Sequence, residues 1–218
     1  MSDWEDRATR ARERFEDGAA RLPEDMDERQ RQLTRMGNAA WAAGLSYLML
    51  GRRTAANVWL VRAAETYRRS WPDAPAGSWG RPIGAMKSRL IAGDVAWAIE
   101  DARWAVDAGA VESESPIGRY AAALARLILG EDDAAAALAA TLTGAEVIPP
   151  AVPDSITALA MHDAAAYASA IAALVADFET REEFLEDIAV ADTVLALQAL
   201  AEVRGMSVPL ASALLPER

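Results

Sequence analysis

Proline and glycine, usually beside a capping residue, cut this chain into runs of helix length, and within each run apolar residues recur every three or four positions. Nowhere do they alternate every second residue with β-branched enrichment, so no sheet is expected and the fold class is all-α. The pattern predicts helices over about 3–20, 26–50, 53–70, 82–92, 95–108, 117–129, 132–142, 153–160, 163–179, 189–204 and 207–214. Local signals set their ends. Ser2 and Glu5 have capping-box spacing ahead of the stripe Trp4, Ala8, Ala11, Phe15 and Ala19. Gly51 stops the second helix, Asp94 after Gly93 caps another, and Ser115-Pro116 supplies a cap followed by a first-turn proline. Helices joined by such short connections must lie antiparallel, so the expected architecture is stacked antiparallel helical hairpins.

The remaining composition bounds the functional classes. Hydrophobic residues, dominated by Ala, make up 52% and charged residues 25%, which suits closely packed helices with a solvated surface. Cysteine is absent, so disulfides, zinc-thiolate sites and thiol catalysis are excluded. No apolar run is long enough to cross a membrane, and the N-terminus lacks the apolar core of a signal peptide, so a cytoplasmic protein is expected. The net charge of −11 argues against nucleic-acid binding, and with Lys87 as the sole lysine it has a halophilic character. That charge is uneven: residues 1–50 carry −2, residues 51–103 carry +4 and residues 104–218 carry −13.

Pro-Ile-Gly occurs at Pro82-Ile83-Gly84 and again at Pro116-Ile117-Gly118, 34 residues later. In the first hairpin, Gly44, Tyr47, Gly51, Ala56 and Ala63 stand at the mutual spacings of a tetratricopeptide repeat, with Leu60 at its large apolar position. Small residues at 44, 56 and 63 allow two helices to approach, Tyr47 fills the space beside them, and Gly51 turns the chain. The units around Gly93 and Gly130 keep Ala98, Ala105, Ala123 and Ala135 but lose the tyrosine. The chain therefore resembles an irregular tetratricopeptide-repeat protein. The resemblance implies a right-handed superhelix of hairpins over 25–145 within one domain, capped by a helix in 1–24 and by C-terminal helices in 146–218. Residues 163–217, with an acid-led helix, a charged elbow and an Ala/Leu helix ending at Arg204-Gly205, are similar to the end of an all-helical immunity-protein family of bacterial toxin systems.

Catalytic signals are sparse. His162, the single histidine, sits at a predicted helix-helix turn and reads as a turn residue or cap. Glu182 and Glu186 are spaced one helical turn apart, as are Glu183 and Asp187, and read as a solvated acidic face rather than a metal or acid-base pair. Neither Pro-Ile-Gly copy follows a strand or precedes Gly-Lys, so no phosphate loop is expected, and no cofactor or metal is implied. An enzymatic reading would need carboxylates such as Glu65 or Asp101 perturbed in a deep pocket. The least ordinary feature is six tryptophans within residues 41–104, overlapping the basic island. Trp and Arg dominate interface hot spots. Trp59, Trp97 and Trp104 are expected to fill the core. Trp41, Trp79, Arg81, Lys87, Arg89 and Tyr120 lie on or just before first helices of hairpins, which line the concave groove in the resembled family. The expectation is a non-enzymatic module whose groove holds an acidic or aromatic segment of a protein or peptide partner. The alternative is an immunity-like or regulatory protein that neutralises a toxin or enzyme through its acidic C-terminal half.

Overall fold

Gly44 shows why the first hairpin closes so tightly. In the computed structural model, which describes residues 3–217, a methyl added to Gly44 would stand 2.7 Å from Leu60 Cγ and 3.1 Å from the Leu60 backbone nitrogen. About two turns away, a methyl added to Gly37 would stand 2.7 Å from the Tyr67 ring. Residue 37 opposite 67 and 44 opposite 60 make the two helices antiparallel, and Ala56 and Ala63 are fully buried along the same contact. Gly51 turns the chain with φ of 69°, a conformation that favours glycine.

The described residues form ten α-helices and no strand: α1 Asp3–Ala20, α2 Met26–Met49, α3 Arg53–Arg69, α4 Gly80–Ala92, α5 Val95–Asp107, α6 Pro116–Ile128, α7 Asp132–Ala140, α8 Ala151–Ala160, α9 Ala164–Glu179 and α10 Asp192–Val203. The fold is all-α. From α1 to α9 each helix packs on the next, and their buried apolar side chains join one cluster running from Ala8 to Met206. Contacts also run from α4 to α6 and from α6 to α8, and α10 lies against α4 and α8. The last helix thus covers the face made by alternate helices.

The two Pro-Ile-Gly glycines are places of close approach. A Cβ on Gly84 would stand 2.8 Å from the Tyr67 ring, and one on Gly118 would strike Ser113 and the Trp79 indole nitrogen. Ser115 caps α6 by accepting from the Gly118 amide, with Pro116 in the first turn.

Two local expectations need correction. Residues 206–217 form no helix: 206–212 have no regular structure and 213–215 turn, the Leu215 amide donating to the Ser212 carbonyl, since the residue before Pro209 disfavours helical backbone. The acidic elbow is not a helical face either, since Glu186 and Asp187 both adopt positive φ around a single 3-10 turn at Leu185–Asp187. Arg14 pairs with the Glu186 carboxylate, and Arg7 donates to the Asp187 carbonyl, which pins this turn to α1. Asp94 occupies the N-cap of α5 as expected, but its carboxylate accepts from Arg89 instead of making a capping bond. The Ser2 cap lies outside the described residues.

Candidate functional site

The six residues read from the sequence as lining one groove are divided by the fold. Trp41 and Trp79 are buried; Trp79 packs on Trp71 with ring centres 5.5 Å apart. Arg81 is buried and donates to the Ser70 carbonyl and to the Gln30 side-chain oxygen, tying the start of α4 to α3 and α2. Lys87 and Tyr120 do meet, but beneath α10. The Lys87 ammonium pairs with Asp192 Oδ2 at 2.6 Å and donates to Thr193 Oγ1 at 2.9 Å. Burial alone would lower the Lys87 pKa, yet the Asp192 carboxylate leaves it above the ordinary lysine value. Tyr120 in the same cluster is pushed up by burial, partly opposed by Lys87. This face is therefore filled by the chain's own helix, and its cation is already neutralised.

Arg89, two residues further along α4, turns to the opposite side. Its guanidinium pairs with Asp94 Oδ2 at 2.8 Å, with Asp101 Oδ2 at 3.5 Å and with Glu65 Oε1 at 3.9 Å. It also lies 5.4 Å from the centre of the Trp97 ring. Arg68 on α3 donates to Asp101 Oδ1 at 2.8 Å and stacks over Trp104 at 5.2 Å. Asp101 is thus the hub between α3, α4 and α5. It is only 1% exposed, and burial raises its pKa against the opposing pull of Arg68 and Arg89.

Around that hub Glu65, Arg68, Arg69, Arg89, Trp97 and Asp101 line an open depression of about 410 Å³. Its floor is an ion-pair network and its exposed rim carries Arg68 and Arg69 beside the Glu65 carboxylate. Trp97 is 54% exposed, whereas Trp59 on α3 is buried beside Phe15 and Arg62. Arg69 is exposed and makes no ion pair among the described residues. Aromatic area beside unspent guanidinium is the composition of an interface hot spot. Trp97 was expected in the core; the stripe Ala98, Asp101, Ala102, Ala105 carries the buried face of α5, which turns position 97 outward. That stripe is visible in the sequence and identifies Trp97 as the ring left over.

His162 occupies the turn between α8 and α9 with φ of 53°, its Nε2 3.2 Å from Asp132 Oδ2. Glu65 is exposed. Among the described residues no three His, Asp or Glu side chains are placed to hold a metal ion, and no helix is long and apolar enough to cross a membrane. Comparison of the chain with family models, curated proteins and solved structures finds no match.

Proposed function

We propose that this chain is a non-enzymatic protein-binding module, a tetratricopeptide-like stack of hairpins that presents the α3–α5 depression to an acidic or aromatic segment of a partner. The observation that carries the reading is Trp97, half-exposed over Arg89 and flanked by Arg68 and Arg69 in a protein of net charge −11. A partner ring can lie on Trp97 while its carboxylates meet Arg68 and Arg69, two interactions that gain from being made together. The close Gly44–Leu60 and Gly37–Tyr67 contacts support the repeat-like stacking.

The test maps segments of captured partners on a peptide array and measures their affinity by fluorescence anisotropy. The reading expects acidic or aromatic segments, bound at least about ten-fold more weakly by Trp97→Ala and by Arg68→Glu/Arg69→Glu. Unchanged affinity in both folded variants contradicts it.

A second reading rests on the −13 half, where exposed Leu185 follows exposed Glu182 and Glu183 and, at the other end of α10, exposed Val203 follows exposed Glu202. An immunity-like protein would use that surface to mask a basic site on a toxin. Basic segments on the array, with affinity indifferent to Trp97, would favour it.

A further inference from the structure

The last stretch of the described chain is held the way a protein holds a peptide, and its hold is loose. From Ser207 to Leu214 exposure alternates residue by residue: Ser207, Pro209, Ala211 and Ala213 face out while Val208, Leu210, Ser212 and Leu214 are half-buried. None of residues 207–217 is buried, in contrast to Val194, Leu197, Leu200 and Ala201 on α10. The polar attachments read backbone more than side chain. The Gln198 amide grips Val208 from both sides, Nε2 donating to its carbonyl at 2.5 Å and Oε1 accepting from its N–H at 3.4 Å. The Ala191 N–H, at the head of α10, donates to the Leu214 carbonyl at 3.0 Å. The one side-chain contact is Ser212 Oγ to Glu179 at 2.7 Å, at the end of α9.

A side-chain amide bonded to both backbone groups of one residue imitates a neighbouring strand, so it fixes an extended conformation without demanding a particular sequence. Specificity then falls to the alternate inward side chains. The strap also leaves its seat incompletely filled: a crevice of about 460 Å³ runs beside it, its apolar side formed by Leu48, Ile91, Val194 and Leu210 and its polar side by Arg53 and Glu202.

We infer that the groove along α10 is a second binding site, a receptor for an extended apolar segment of a partner protein, and that residues 207–215 occupy it in cis until such a segment displaces them. The fitting partner carries Val or Leu at alternate positions around a small residue and a proline, which keeps it from becoming helical. Because the strap is tethered, it competes at an effective concentration on the order of millimolar, so the free protein should bind outside peptides weakly.

The test uses the full chain and a fluorescein-labelled peptide of sequence MSVPLASALLPE, residues 206–217. In the Leu210→Asp/Leu214→Asp variant, whose own strap cannot seat, the peptide should bind at least about ten-fold more tightly than to wild type, since the competent fraction rises. Adding Gln198→Ala should abolish that gain. Equal binding to wild type and variant, or a gain indifferent to Gln198, overturns the inference. A wild-type dimer that forms with concentration and disappears in the double variant would also overturn it, because the groove would then serve strap exchange between copies. Should the variant fail to fold, hydrogen exchange on wild type decides. The Val208 and Ala191 amides should exchange by local opening, at least about ten-fold faster than that of Leu197 within α10. Exchange of all three at one common rate contradicts a displaceable strap.

Discussion

Lys87 and Arg89 stand two residues apart on α4 and meet opposite fates. Lys87 turns toward α10, where Asp192 and Thr193 satisfy it and the helix covers most of it. Arg89 turns toward α3 and α5, where Asp101 and Asp94 satisfy its charge but Trp97 above it stays open. Both cations lie in the basic island of an acidic protein, yet only one face retains aromatic surface and uncommitted guanidinium for another molecule. On the proposed reading, positive charge in this protein marks a binding surface only where the chain has not supplied its own counter-charge and cover.

The strongest challenge to this contrast is to remove Lys87. Lys87→Ala leaves the Asp192 carboxylate buried and alone, and should lower unfolding free energy by about 3–5 kcal/mol in urea titrations. Replacing both partners by Lys87→Met/Asp192→Leu should return most of that loss; a single variant costing under about 1 kcal/mol would mean the α4–α10 face is open after all.

The tryptophans give the next contrast. Trp59→Ala, in the core, should cost about 3–5 kcal/mol, while Trp97→Ala should stay within about 0.5 kcal/mol of wild type. Equal losses would place Trp97 in the core. Gly118→Ala should then cost about 1–3 kcal/mol, since Ser113 and Trp79 must retreat from the new methyl group. Crystallography of that variant should show Ser113 displaced.

An alkaline pH scan reads the sealed face by difference, because Tyr67 and Tyr167, also raised by burial, act in the same direction. The folded Lys87 pKa is raised above its ordinary 10.5, so its contribution is full below that value and fades as pH rises through the folded pKa. Tyr120, raised above its ordinary 10.0 by burial, acts in the same direction from that pH upward. Alkaline melting curves should fall more steeply for wild type than for Lys87→Met/Asp192→Leu. The smallest expected effect is ionic: with net charge −11, melting temperature should rise with salt, and a flat response would contradict the halophilic character read from the composition.

Much of the architecture is local and was therefore legible. Caps at Ser115, turns at Gly51 and Gly93, and period-3.6 stripes locate the helices, and the crowding that requires glycine at 44, 84 and 118 follows from small residues placed opposite Leu60, Tyr67 and Trp79. The candidate site was legible only in composition. The pairing of Lys87 with Asp192 joins residues more than a hundred positions apart, and no periodicity announces that α10 folds back over α4. The strap misled for a different reason: Val208, Leu210, Ala211 and Leu214 read as a helical stripe, whereas Val208, Leu210, Ser212 and Leu214 form an equally good alternate one, and Pro209 decides between them. Trp97 lies one position off the buried stripe of α5, a discrepancy that the abundance of neighbouring rings concealed.

The two faces separate most directly in the indole N–H region of a ¹⁵N–¹H correlation spectrum recorded while an acidic or aromatic partner segment is added. Binding at the α3–α5 depression should move the Trp97 resonance and leave those of Trp41 and Trp79 in place. Shifts confined to Trp41 and Trp79, with Trp97 unmoved, would contradict the assignment of the open face as the receptor.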